Sequence, residues 1–397
     1  MPSAAACSSV NGVYNKMRVE AASIWYVPAN NGEDIAVLIK APTPTLKAII
    51  SGCSIKLLFG KKDSYLCAGV QVEDVPDIPL LLSGAQIVSE EHEALFELLL
   101  RKETPIFLFN EMDICVASST ISISEKEASL LCEFLGEQTS LYVGEFNSDV
   151  SFAVDCFVVS IDKTQVYPNA YNIPIFEITP KIGEWTSNDI YFLGNDSSCS
   201  INISSRMEGV TFENTILGAL ESVFPNTLYK SPQIQYGEKT REFTDVFAYH
   251  EYGSFLIEAK DLSVIQAGYN RNEAKRLSGI QKQVTKAIKQ LVGAANGFQQ
   301  ERSLLDIKGN KIDVDRSIPP HCIILITELM VCGDWDEITQ QMLDAMQQTG
   351  AFFHLLDLRE FIVLLKQSSG DPKLVDYNLM ERCKLFIEKK SVFIRGI

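Results

Sequence analysis

The stretch REFTDVFAYHEYGSFLIEAKDL (residues 241–262) decides the reading of the second half of this chain. Alternation along its first part puts Phe243, Asp245 and Phe247 on one face of an extended strand. A turn at 250–253 follows. Beyond it Leu256, Glu258 and Lys260 share one face, while Phe255, Ile257 and Ala259 take the other. The pattern predicts a β-hairpin with two ionisable groups on an otherwise apolar strand, and Asp245 can reach them from the neighbouring strand. Burying charge is costly unless it is paired or coordinates a metal. Two carboxylates and an ammonium at one spot suit Mg²⁺, which takes one or two protein carboxylates, several waters and phosphate oxygens. Such an ion polarises a phosphodiester oxygen and acidifies a bound water. A lysine beside it can hold that water and offset charge on the pentacovalent phosphate. No Ser/His/Asp arrangement accompanies these residues, which speaks against acyl transfer.

The flanking segments add to the hairpin. Upstream, GVTFENTILGALESVFP (209–225) reads as an amphipathic helix, with Glu213 among Ile216, Leu217, Leu220 and Phe224. A carboxylate there needs a partner, and a metal site is a good one. Downstream, SGIQKQVTKAIKQLVGAANG (278–297) turns Ile280, Val284, Ile288, Leu291, Val292 and Ala295 to one side. Lys282, Lys286 and Lys289 lie opposite, suited to a phosphate backbone, and Gln283 sits at the boundary, able to look into a site at the sheet edge. Around these, strands are expected near 231–236, 242–250 and 254–260, and a long helix over 274–296. An apolar strand at 322–329, a helix at 335–348 and a strand at 351–356 follow. Two more helices then precede a short terminal strand, SVFIRG. The αβββαβ order implies a central mixed sheet with helices against it, an α/β (α+β) class.

The order Glu213, Asp245, Glu258-Ala259-Lys260, Gln283 resembles the PD-(D/E)XK nuclease superfamily, the restriction-endonuclease-like fold, and most of all its Mrr and nuclease-related-domain types. The resemblance covers about residues 205–365. It implies that Asp245 and Glu258 bind Mg²⁺ (Mn²⁺ substituting) with help from Glu213. It also implies that Lys260 activates or positions the attacking water, and that Gln283 supports the site. Thr244 stands where the family's motif has proline. An endonuclease acting on DNA is the implied activity, with RNA a second substrate class, and restriction or anti-phage defence the implied role. Two other readings compete. One is a catalytically silent nucleic-acid- or protein-binding module. The other is a nuclease that works only within a multiprotein complex.

The first half reads differently. At 397 residues two domains are expected, here 1–200 and 201–397. Residues 1–200 carry 26 acidic and 12 basic side chains, and so hold nearly all of the net charge of −16. That balance argues against a protein coating nucleic acid non-specifically. It suits a sensor, specificity or assembly module that meets a protein partner. Basic residues bunch between Arg271 and Lys289. ASIWYVPA, IAVLIKA, SIKLLFG, YLCAGVQV, LYVGEF and FAVDCFVVSI read as short strands, and SEEHEALFELLLRKE and SEKEASLLCEFLGEQ as helices with acidic starts. The result is a mostly β domain with a few helices. NDSSCSINISSR (195–206) reads as a linker.

Ten cysteines are scattered without C-x-x-C spacing and only four histidines occur, which argues against a zinc cage. Most of these cysteines, as in SLLCEFL and PPHCIILI, are expected to be small buried hydrophobes. His250 and Glu251 read as turn residues, and His321 and His354 as structural. No apolar run is long enough to span a bilayer, and the amino terminus lacks the pattern of a signal peptide. The cytoplasm is therefore the expected compartment, and a homo-oligomer the expected assembly.

Overall fold

The computed structural model describes residues 13, 16–74, 79–193, 198–251, 253–261, 273–330 and 333–394. It is an α+β protein of helices with antiparallel and mixed sheets. Two compact units divide between Asn188 and Asp189.

The first unit is built on strands β1 (Ser23–Ala29), β2 (Asp34–Lys40), β3 (Ile55–Lys62), β4 (Tyr65–Val72), β5 (Leu80–Gln86), β6 (Glu103–Phe109), β7 (Cys115–Ser122), β8 (Ile175–Ile178), β9 (Lys181–Ile182) and β10 (Thr186–Ser187). One sheet runs β1-β2-β6-β7, with β9 and β10 both added to β7, and a second runs β5-β4-β3-β8. Helices α1 (Thr43–Ile50), α2 (Ser89–Arg101), α3 (Glu125–Leu135) and α4 (Ser148–Ile161) complete it. The expected helices at α2 and α3 are present. The segment FAVDCFVVSI, read as a strand, lies instead within α4. Asn147 caps that helix by accepting from the amides of Asp149 and Val150. Ala153 and Phe157 then pack at helical spacing against Leu58 and Cys67. LYVGEF forms no strand either. The Tyr142 amide bonds to Ser64 and the Gly144 amide to Ile87, so no single neighbour offers it a ladder.

The second unit begins with the hairpin β11 (Ile190–Leu193) and β12 (Ser198–Ile201). Residues 198–201, expected within a linker, are thus a strand of this unit, and 195–197 lie outside the described residues. Then come α5 (Glu208–Glu221), β13 (Leu228–Lys230), β14 (Gln233–Tyr236), β15 (Lys239–Glu242), β16 (Val246–His250), β17 (Gly253–Lys260), α6 (Glu273–Gln299), β18 (Leu304–Leu305), β19 (Lys311–Ile312) and β20 (His321–Ile326). Last are α7 (Asp336–Thr349), β21 (Phe352–Asp357), α8 (Leu358–Gln367) and α9 (Pro372–Lys389).

The central sheet runs β13-β16-β17-β20-β21, antiparallel through β17 and parallel beyond it. β20 is buried at every position, as a strand covered on both faces must be, which explains the unbroken apolar run. Ile280, Val284, Ala287, Ile288 and Leu291 of α6 pack with Phe247, Leu256 and Ile324 in the main core. Each fully buried aliphatic side chain there contributes roughly 1.5–3 kcal/mol.

A side sheet, β15-β14-β18-β19, folds over the carboxy-terminal half of α6. A Cβ built on Gly297 would lie 2.6 Å from Ile234 Cδ1 and 2.9 Å from the Tyr236 hydroxyl, so this close approach requires glycine. The expected terminal strand SVFIRG is not formed over 391–394, and 395–397 lie outside the described residues. Lys390 takes a left-handed turn, and Val392 and Ile394 enter the core as an irregular tail. Among the described cysteines, none of which is in a disulfide, Cys53, Cys67, Cys156, Cys322 and Cys383 are buried as expected. Cys132, expected inside, is exposed because the buried stripe of α3 is Ala128, Leu131 and Leu135. Cys7, Cys332 and Arg271 lie outside the described residues.

Candidate metal-dependent active site

The β16–β17 ladder ends with Val246 opposite Ile257, and one step further the chain sets Asp245 beside Glu258. Asp245 is outside the ladder, yet side chains continue the pairing. The Thr244 hydroxyl donates to the Ile257 carbonyl at 2.7 Å, and Asp245 Oδ2 accepts the Ala259 amide at 2.7 Å. The Ser231 amide bonds the Asp245 carbonyl at 2.8 Å. The Thr244 hydroxyl therefore anchors this turn of chain to β17.

Glu258 and Lys260 are two apart on β17 and so share its face. The Lys260 ammonium donates to Glu258 Oε2 at 2.7 Å and to Asp245 Oδ2 at 3.2 Å. The three side chains are 3%, 13% and 14% exposed for Glu258, Lys260 and Asp245. Lys260 lies opposite Ile326, so the cluster stands at the carboxyl ends of the parallel strands β17 and β20. Burial, and then the Asp245 charge beside it, pushes the Glu258 carboxyl up to about 7, against the pull of Lys260. For Lys260 burial works against the charged form, but the charges of Glu258 and Asp245 outweigh it and its pKa is raised.

Glu213 on α5 is half-buried, with its side chain 26% exposed. Burial first, and the Asp245 charge second, raise its pKa, which brings Asp245 and Glu213 into one electrostatic neighbourhood. Its cationic neighbour is Lys230, at 3.9 Å, whose ammonium also donates to Asn214 Oδ1 at 2.7 Å. Lys230 was missed in the sequence because it sits on the short strand β13. Glu242 was missed as well, although its charge raises both Glu213 and Glu258. Gln283 is exposed on α6, and among the described residues it makes no hydrogen bond to Asp245, Glu258 or Lys260. Lys282, Lys286 and Lys289 are exposed on the same helix.

Among the described residues no three His, Cys, Asp or Glu side chains form a ready-made metal cage. The donor set nonetheless fits a hard cation that binds through few carboxylates and keeps water. Asp245 Oδ1 and Glu258 Oε1 accept no hydrogen bond from the described residues, so each acid keeps an oxygen for such an ion. Four carboxylates, Glu242 included, face two ammoniums here, which leaves a negative surplus.

A second polar cluster sits at the opposite end of the same strands. His321 Nε2 meets Asp376 Oδ1 at 3.0 Å and His321 Nδ1 meets His354 Nε2 at 2.9 Å. His321 Nε2–H donates a hydrogen bond to Asp376 Oδ1, which leaves His321 Nδ1 to accept from His354 Nε2–H. His354 is buried, and burial first, then His321 and Arg382, hold its pKa well below the usual range. The two partners of His321 lie 33 and 55 positions away from it in sequence, so no local spacing announced them. The facing nitrogens are spent on each other, so this is an orienting network that locks β20, β21 and α9 together.

No helix among the described residues is long and apolar enough to cross a membrane. No family model matches this chain, and no curated protein and no solved structure is significantly similar to it.

Proposed function

We propose that the second unit is a metal-dependent nuclease that hydrolyses phosphodiester bonds of DNA. The observation that carries this reading is the Lys260 ammonium held between Asp245 and Glu258. Those are the three residues whose types and order resemble the PD-(D/E)XK nucleases. Asp245 and Glu258 would hold Mg²⁺ or Mn²⁺, with Glu213 assisting through its charge. When bound, such an ion supplies Lewis-acid polarisation and an acidified water.

The chain's own residues supply the rest. Asp245 is fixed by the Ala259 amide, so its free oxygen has a set direction. Lys260 stays charged at neutral pH, and its ammonium can hold an attacking water by hydrogen bond and offset charge growing on phosphate. Lys282, Lys286 and Lys289 would carry the backbone, and Gln283 would support the site. A role in restriction or anti-phage defence, with the acidic first unit as a sensor or docking module for a protein partner, extends the same reading by analogy.

One observation favours a catalytically silent module: Lys260 already pairs with both acids in an ion-pair cluster. An assay separates the two. Plasmid, linear duplex, single-stranded DNA and RNA are incubated with parent, Glu258→Gln and Lys260→Ala in Mg²⁺, Mn²⁺ or EDTA. Metal-dependent cutting lost in both variants is expected. Cutting that survives in the variants would place the chemistry elsewhere, and inactivity of the parent on every substrate would favour the silent module.

A further inference from the structure

The exposed face of α6 bears Lys282, Lys286 and Lys289, and at about 100° per residue Gly293 falls within the same arc of about 60°. The side sheet closes over the helix at that point. A Cβ built on Gly293 would lie 3.6 Å from an Arg241 guanidinium nitrogen, so Arg241 lies over the lysine face. Arg241 also stands over Tyr236, with its guanidinium carbon 4.2 Å from the ring centre, and donates to the tyrosine hydroxyl. Arg302 stands over the same ring at 3.9 Å. Arg241 comes from β15 and Arg302 from the chain leading into β18, the strands on either side of β14, so Tyr236 lies between them.

None of these five cations forms an ion pair with a described carboxylate. Arg241 spends a donor on Tyr236, and Arg302 spends two on the Gln300 side-chain oxygen. Glu238 and Glu301 lie on adjoining turns but pair with neither. In a chain with a net charge of −16, five unpaired cations on one face form a local field of opposite sign. Contact with the ring holds both guanidiniums in place, which spares the ordering cost that free arginines meet on binding.

The direction of the track is also fixed. Arg276 pairs with Glu328, and the Gln281 side-chain amide donates to the Asp334 carbonyl, so the first turns of α6 lie beside the loop after β20. That is the end of the sheet where Lys260 stands. The track therefore starts at Lys282, toward that end of the sheet, and runs roughly 16 Å along the helix to Gly293.

We propose that Arg241 and Arg302, braced on Tyr236, form a phosphate clamp that continues the lysine face of α6 into one binding track for duplex DNA. The proposal rests on the nuclease reading for its choice of polyanion, but its test needs no chemistry. A labelled DNA duplex is titrated with the full chain in EDTA at several salt concentrations, and binding is followed by fluorescence anisotropy. Arg241→Gln/Arg302→Gln should bind roughly tenfold more weakly near 0.1 M salt, and its log–log salt slope should fall by about two. Tyr236→Leu keeps both charges, so it should lose about threefold in affinity with an unchanged slope, while Tyr236→Phe binds as the parent does. Thermal melts that match the parent exclude unfolding as the cause.

Equal affinity and equal slope in the arginine double variant would overturn the clamp, even if the parent cuts DNA. Unchanged binding by Tyr236→Leu would overturn the bracing. A parent that ignores duplex DNA but binds duplex RNA would overturn the choice of occupant. If binding follows these residues and no substrate is cut with any metal, the clamp stands and the nuclease reading falls.

Discussion

Replacing Glu258 with glutamine should make the apo protein more stable, and only at the alkaline end of the range. Glu258 is moved from an ordinary 4.5 up to about 7 by burial and by the Asp245 charge. The folded state therefore holds the Glu258 proton more tightly than the unfolded chain does. The stability that this proton contributes is complete below pH 4.5 and is lost as pH rises through 7. At about 1.4 kcal/mol per unit, ionised Glu258 costs the folded state up to about 3 kcal/mol at pH 8. Glutamine has nothing to titrate, so the gap between variant and parent should open by about that amount between pH 4.5 and 8. Urea unfolding at pH 5, 6, 7 and 8 in EDTA measures it. A divalent ion at a hundred times its Kd should return about 2.7 kcal/mol to the parent and less to the variant. A gap that stays constant with pH, or a parent that gains on the variant as pH rises, would refute the argument that two crowded acids strain this site.

Two other expectations concern stability. His354 is held neutral in the fold, so the unfolded chain takes its proton more readily, and the stability present above pH 6.5 is lost as pH falls. His354→Gln keeps an N–H donor toward His321 and should lose up to about 2 kcal/mol less than the parent between pH 6.5 and 5, read by urea unfolding. Two glycines of α6 should respond oppositely to alanine. Nothing lies within 4 Å of a Cβ on Gly279, so Gly279→Ala should stabilise by about 1 kcal/mol, whereas Gly297→Ala meets Ile234 and Tyr236 and should destabilise by about 1–2 kcal/mol.

Much of the second unit was legible because its signals are local. The alternation through 243–260 is a property of adjacent residues, and it fixed which side chains of β17 share a face. The 3.6-residue repeat of Ile280, Val284 and Leu291 fixed the buried side of α6 in the same way. What escaped depends on distant partners. Lys230 reaches the site only because β13 pairs with β16, and His321 meets Asp376 only because α9 returns to the sheet. Tyr236 gains its second guanidinium from Arg302, sixty-odd residues on. In the first unit FAVDCFVVSI misled because β-branched and aromatic residues suit either state, and the decision lay with the cap at Asn147 and the packing of Phe157.

The ladder end at Asp245 bears on how variants and drifting copies of this chain should be interpreted. Its carboxylate takes the Ala259 amide that a main-chain carbonyl would otherwise receive, so it serves as the last rung of the hairpin. A copy that no longer needed chemistry would still be penalised for losing it, and asparagine would be the tolerated exchange. Survival of either aspartate or asparagine at position 245 therefore speaks for architecture first. Lys260 has no such second duty in the main-chain ladder, since its ammonium bonds only the two acids. Its presence or loss is the sharper marker of a working site.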